Sequence, residues 1–234
     1  MLKANFPSYK IDDKEILKNI SIHLQDTQNL TVLGSNGAGK STLAKLLSAL
    51  IKSKNSIFIN NNEIENLDDK QRAKLINYIP AKLSIYDSYI TVYDFLALGF
   101  YESKIREVLQ LLEMEKFEKS YCSTLSSGEQ QLLLVASALV HDAQVTILDE
   151  PTSNLDPQKT KKIFDILKSN RLKQKIVITH DLQFAYKLGF PIYYITDGNG
   201  EMFESVEAFF DEHNLEKIFA GSVKKSADDI VIKL

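Results

Sequence analysis

The residues with the clearest chemistry are Gly34-Ser35-Asn36-Gly37-Ala38-Gly39-Lys40-Ser41. They fit G-x-x-x-x-G-K-[ST], the pattern of a phosphate-binding loop. Glycine tolerates the backbone of a tight turn, so such a run points successive N–H groups into one concavity that suits an anion. In this pattern Lys40 reaches the β- and γ-phosphates of a nucleotide and the Ser41 hydroxyl holds Mg²⁺. A second set is Asp149-Glu150, two carboxylates that end the apolar run Val145-Thr146-Ile147-Leu148. A carboxylate at a strand tip beside a phosphate loop orients Mg²⁺ through its water shell, which is the role open to Asp149. Glu150, one residue on, polarises an attacking water as general base. The competing reading of the pair is an acidic helix cap before Pro151, and the apolar run makes it the weaker one.

The elements around these residues position them. Leu30-Thr31-Val32-Leu33 is a short buried-type strand ending at Gly34, and Lys40 to Leu47 reads as a helix that aims its positive end at the loop. Ile16-Leu17 and Ile20 to Leu24 alternate as strands, with turns at Asp12 to Glu15 and Asp26 to Asn29. Tyr9 stands on a strand upstream of the phosphate loop; it could stack on a purine or pack on an edge strand, and the residues alone leave both open. Ser56 to Ile59 is a strand, Asn60 to Asn62 a turn, Leu67 to Ala73 a polar helix or loop, and Leu75 to Ile79 a strand stopped by Pro80. Between residues 83 and 124 helical spacing takes over. Thr91 to Leu98 is a helix with Thr91 at its cap and Gly99 as its stop, and Ile105, Val108, Leu109 and Leu112 share one helical face. Leu125-Ser126-Ser127-Gly128-Glu129-Gln130-Gln131 opens a further helix; alone it signals only a Ser cap with an acidic first turn. Asp156 caps a helix with Pro157 at its first position, followed by an amphipathic face from Lys159 to Asn170. Lys175 to Thr179 is a buried strand with His180 at its tip. A lone histidine there is usually structural, yet strand tips are where ligands bind in open α/β sheets. A hairpin follows around Asp197 to Gly200, then short helices at Val206 to Phe210 and Leu215 to Phe219 and a last strand at Asp229 to Lys233.

Length and composition bound the remainder. The chain has 234 residues, enough for a full α/β core without staples. A net charge of −3 argues against a nucleic-acid-binding protein as a whole. The one cysteine, Cys122, excludes an intramolecular disulfide and suits a reducing cytoplasm. No signal peptide is expected at the N-terminus, and the longest apolar stretch, around Leu132 to Val140, is too short to span a bilayer.

In their order, Gly34 to Ser41, Leu125 to Gln130, Val145 to Glu150, Ser153 to Asp156 and His180 resemble the ATPase subunit of ABC transporters. The resemblance covers nearly the whole chain. Thr91 to Gly99 and the tail around Leu215 to Phe219 are further similar to the ATPases of importers for iron-siderophores, haem and vitamin B12, a much less specific match. The family implies an α/β fold: a P-loop NTPase core with a mostly parallel sheet, an N-terminal antiparallel β subdomain and an α-helical insert. On that reading the RecA-like core with its β subdomain takes about residues 1–82 and 143–234, and the helical subdomain with the signature motif about 83–142. The resemblance implies two copies of the chain enclosing two ATP molecules head to tail, bound to an integral membrane permease on the cytoplasmic face of the cell membrane. Gly34, Ser35, Asn36, Gly37, Ala38, Gly39, Lys40, Ser41 and Thr42 would then cradle phosphates, while Ser126 and Gly128 close on the γ-phosphate across the interface. Ser41 and Asp149 look like the Mg²⁺ partners, Glu150 the base, His180 the γ-phosphate sensor, Asp156 the dimer-contact residue and Tyr9 the adenine-stacking aromatic.

Three departures stand out. Tyr78-Ile79-Pro80 is followed by Ala81, where the family usually has a glutamine that senses Mg²⁺ and relays movement to the permease. The middle glycine of the signature is Ser127, and a side chain there is costly if the backbone requires positive φ. The helical segment from Gly99 to Leu125 is short for the subgroup. Two function classes follow: the energy-coupling ATPase of a metal-chelate importer, and an ABC ATPase that regulates or assembles something without a permease.

Overall fold

The computed structural model describes residues 1–52, 57–85, 87–153, 155–226 and 229–232; Ser56, Asn154 and Lys233 of the segments read above lie outside them. In chain order the strands and helices are β1 (Leu2–Ile11), β2 (Lys14–Leu24), β3 (Leu30–Gly34), α1 (Lys40–Leu47), β4 (Ile57–Ile59), β5 (Asn62–Glu63), α2 (Asp69–Leu75), β6 (Ile76–Ile79), α3 (Val92–Ala97), α4 (Ile105–Leu111), α5 (Ser127–His141) and β7 (Val145–Asp149). The remainder are α6 (Pro157–Lys168), β8 (Gln174–Ile178), α7 (Leu182–Leu188), β9 (Ile192–Thr196), β10 (Asn199–Phe203), α8 (Val206–Phe209), α9 (Glu212–Phe219), β11 (Val223–Ser226) and β12 (Asp229–Ile232). They group into two compact units, residues 1–66 with 176–234, and residues 67–175.

The first unit is built on a sheet. Its antiparallel part runs β5-β4-β1-β2, and β10 joins β2 to β9, β3 and β8. β3 is flanked by two parallel neighbours, β8 and β9, and every residue of β3 is buried. That double burial is why its sequence is a continuous apolar run rather than an alternating one. Asp12, at φ 53, closes the β1–β2 hairpin, so Lys14 and Glu15 belong to β2 and not to the turn. Asp197 and Gly198, at φ 48 and 79, make the left-handed pair of a two-residue hairpin turn between β9 and β10. Below β3 lies an aromatic cluster in which Phe203, Phe209 and Phe210 pack with Leu33, Ile192 and Leu215. It explains two helices too short to stand alone: α8 and α9 are held by the apolar side chains they bury. The β11–β12 ribbon was not legible as a pair, since only its second strand carries an apolar run.

The second unit is mostly helical around one parallel strand pair, β6 with β7. α2 starts at a capping box between Asp68 and Gln71 and extends through Leu75, which the apolar run had placed in the strand. α3 starts at the expected Thr91 cap, closed by Asp94. Ile105, Val108, Leu109 and Leu112 are all buried, as their spacing predicts. α5 is apolar nearly all round because it is buried nearly all round, from Leu132 to Val140. Its last turn is tied to α2, with His141 Nε2 2.7 Å from the Ala73 carbonyl oxygen. Cys122 is buried, and burial pushes its thiol up to about 11, so it stays protonated at neutral pH. Among the described residues no helix is long and apolar enough to cross a membrane.

Candidate active site

The first unit carries the phosphate loop. Gly37 and Gly39 sit at φ 81 and 101, a backbone that L side chains rarely adopt. A Cβ on Gly39 would meet Leu17 Cδ2 at 2.7 Å, whereas one on Gly37 would meet nothing within 4 Å, so the loop is packed on one side and open on the other. Gly39 is also the N-cap of α1, and no side chain caps it; the first turn contains no acidic residue. Ser35, Asn36, Gly37 and Ser41 are exposed, and Thr42 is half-buried. Lys40 is 7% exposed, with its ammonium donating to the carbonyl oxygens of Gly34 at 2.9 Å and Ser35 at 3.0 Å. The loop thus curls around its own lysine, and no side chain caps the start of α1. That is a fit for an anion, and the exposed Ser41 hydroxyl is suited to a hard cation that arrives with phosphate.

Two further residues belong to this unit. β1 pairs with β2 so that Tyr9 lies opposite Leu17, the residue packed on Gly39. The parallel register Val32 to Ile178 places exposed His180 level with Gly34 at the same strand ends. Next to it, the Asp181 N–H donates to Thr179 Oγ1 at 3.1 Å and Asp181 caps α7, which fixes the backbone on both sides of His180.

The second unit carries the carboxylates. Asp149, 4% exposed, ends β7, and the Tyr78 hydroxyl donates to its Oδ2 at 3.1 Å. Burial, then the Asp149 carboxylate beside it, pushes the Tyr78 phenol far above its ordinary value, so it stays a donor. Glu150 has φ 49. A non-glycine residue there costs about 1–2 kcal/mol, a strain concentrated on the residue expected to act as base. Its carbonyl oxygen accepts from the Ser153 N–H at 3.1 Å and from Gln131 Nε2 at 3.5 Å. Tyr78 and Gln131 were missed as site residues, because their partners lie 71 and 19 positions away. Only the β6–β7 register and the place of α5 in this unit bring them together.

The signature stretch forms the start of α5. Ser126 is its N-cap: the Ser126 hydroxyl donates to Glu129 Oε2 at 2.7 Å, and its N–H donates to the same oxygen at 2.8 Å. Ser127 is the first helical residue and is absent from the positive-φ residues, so a side chain carries none of the feared cost. Asp156 caps α6, accepting from the Lys159 N–H at 2.9 Å. Half-buried Ala81 lines a pocket of about 320 Å³ with Lys82, Ser127, Gln130, Gln131 and Ser153.

These features have known counterparts. The family described as ABC transporter matches residues 17–153. An uncharacterised ABC transporter ATP-binding protein of Methanocaldococcus jannaschii is 35% identical over 85% of this chain and 83% of its own length. The energy-coupling factor transporter ATP-binding protein EcfA1 of Thermotoga maritima is 31% identical over 90% of this chain and 86% of its own. Some curated relatives are longer: the chain spans 41% of one from Clostridium tetani. Among solved structures, the ATP-binding cassette MJ0796 of Methanocaldococcus jannaschii, seen as a dimer bound to ADP and Pi, superposes with a TM-score of 0.76 at 26% identity, covering 88% of this chain and 99% of that one. With its uncapped phosphate loop, its strand-end carboxylates and its α/β P-loop fold shared with these cassettes, the chain belongs to the ABC transporter family and is an ATPase that works on ATP with Mg²⁺.

Proposed function

We propose that the chain powers import of a metal chelate, of the iron-siderophore, haem or cobalamin type, through a membrane permease. Two copies would close around two ATP molecules at the cytoplasmic face of the membrane. The observation that carries the ATP-driven part is the start of α1, where glycine torsions and the missing cap leave an anion site. The import subgroup is supported by the Thr91 to Gly99 segment, which folds as a capped helix, α3, in the second unit. Gly34 to Thr42 cradle the phosphates, with Lys40 the cation on the β- and γ-phosphates, and Tyr9 stacks on adenine. Ser41 and Asp149 would hold Mg²⁺, with Tyr78 orienting the Asp149 carboxylate. Bound there, Mg²⁺ would neutralise charge that develops on the phosphates. Glu150 takes the proton of the attacking water. His180 senses the γ-phosphate, Ser126 and Gly128 of a second copy donate to it, and Asp156 contacts that copy. The division into a core of about 1–82 and 143–234 and a helical subdomain of about 83–142 belongs to the same proposal.

A second reading keeps the ATPase and changes its setting. The relative named for an energy-coupling factor transporter matches along nearly the full chain and favours that type of assembly. Ala81 favours weak coupling to any permease, or none. Purification from membranes in mild detergent tests these together. Recovery with an integral membrane protein whose reconstitution supports ATP-dependent uptake of a metal chelate is the expected result. Recovery with an integral protein that takes up no chelate supports the second assembly, and recovery alone supports the permease-free class.

A further inference from the structure

Gly128 is the second residue of α5 and is not among the positive-φ residues. Glycine in a helix costs about 1 kcal/mol relative to alanine, and no torsion here asks for it. The nearest neighbour of that position is Lys159. A Cβ on Gly128 would lie 3.2 Å from Lys159 Cδ and 3.4 Å from its Nζ. The ammonium of Lys159 also donates to Asp156 Oδ2 at 2.6 Å. It is therefore pinned between the loop that ends at Asp156 and the start of α5. Glu129 and Asp156 line one pocket of about 370 Å³ with Lys116, Lys159 and Lys162. The Ser126 hydroxyl, with Lys159 and Lys116 adding, holds the Glu129 carboxyl below its ordinary range. Lys159 does the same for Asp156, first through its side-chain hydrogen bond.

Two carboxylates beside a loop that must meet a polyphosphate are an electrostatic obstacle, since like charges a few ångströms apart repel. We propose that Lys159 is a positioning residue for closure of the Ser126–Gly128 loop on the γ-phosphate held by a second copy of the chain. Its ammonium pairs with Asp156 and offsets part of the Glu129 charge, and its stem, lying beside Gly128, holds the loop against the start of α6. The inference rests on the two-copy reading above. It assigns Lys159 to the other copy's nucleotide, so ATP affinity of the single chain is expected to be unchanged.

The test uses the Glu150→Gln protein, which keeps ATP unhydrolysed, as parent. Lys159→Met retains the stem and loses the charge; Lys159→Arg retains the charge. Dimerisation is followed by analytical ultracentrifugation with MgATP at low and high salt, alongside thermal melts and ATP titrations of the single chain. Lys159→Met is expected to weaken the MgATP dimer about tenfold at low salt and less at high salt, where the unmasked carboxylates are screened. Lys159→Arg should restore both, with melting temperature and single-chain ATP affinity unchanged throughout. A Met variant that dimerises like the parent overturns the assignment of Lys159 and leaves the two-copy reading standing. Met and Arg variants weakened alike, or a melting temperature that falls in step with dimer affinity, also overturn it. A parent that stays single with MgATP removes the two-copy reading and this inference with it.

Discussion

The starts of α1 and α5 are both expected to meet phosphate, yet they are built in opposite ways. α1 begins at Gly39 in a left-handed torsion with no side-chain cap. α5 begins at Ser126, whose hydroxyl and N–H both bond Glu129, and whose Oγ accepts from the Glu129 N–H at 3.4 Å. A helix start leaves backbone donors that must find partners. At α1 no side chain supplies a cap; at α5 the chain's own side chains already satisfy part of the demand. The difference teaches an order of events. On the proposed two-copy reading, the phosphate loop takes nucleotide in a single chain, while the Ser126 loop would exchange its hydrogen bonds to Glu129 for phosphate once a second copy presents ATP.

The largest expected effect bypasses both helix starts. Glu150→Gln should bind MgATP but hydrolyse it at least ~100-fold more slowly, the scale of losing a general base, and should accumulate as a dimer in size exclusion with MgATP. Normal turnover by a single-chain species would remove Glu150 from the mechanism. Next, Lys40→Ala removes the cation enclosed by the α1 loop. Calorimetry should show ATP affinity reduced roughly 10- to 100-fold, the worth of one hydrogen bond to a charged group. Undiminished affinity would erase the contrast, since the loop would not be reading phosphate.

Ser126→Ala sharpens the contrast directly. It should leave ATP affinity of the single chain untouched, lower stability by about 1 kcal/mol through the lost cap, and weaken the MgATP dimer. A melt unchanged by the substitution would mean the cap contributes nothing and α5 is as open as α1. Ala81→Gln is a smaller change. It should raise ATPase stimulation by a reconstituted permease more than it alters the basal rate. A natural protein already strongly stimulated, and no better with Gln, would show that coupling runs through other residues.

The smallest effect lies at the far end of α5. Asp142, at φ 52, ends the helix between Lys104 at 2.8 Å and Lys173 at 3.2 Å. Burial raises its carboxyl, but the two lysine hydrogen bonds outweigh that and hold it below its ordinary value. A carboxyl depressed in the folded state adds stability above its unfolded pKa and loses it as pH falls through the folded one. Asn tolerates the left-handed torsion, so Asp142→Asn should cost on the order of 0.5–1 kcal/mol near neutral pH. The gap in melting temperature to the natural protein should begin to close below about pH 4 and vanish only below the depressed folded value. A gap independent of pH would exclude the ion pairs as its source.

Local chemistry decided what the sequence by itself could reveal. The phosphate loop, its helix, the Thr91 and Asp156 caps and the apolar spacing of α4 depend on residues within a few positions of one another, so they stand in the chain order unaided. The family followed from the same short blocks. What crosses from one element to another was settled only by the tertiary structure. The Tyr78 hydroxyl on Asp149 needs the parallel register of β6 and β7. The torsion of Ser127 needed the first turn of α5, and the contact of Lys159 with Gly128 needs α6 beside it. A sequence records periodicity and torsional preference, but which side chains from distant positions share a few cubic ångströms is fixed by packing, where sequence separation carries no information about distance.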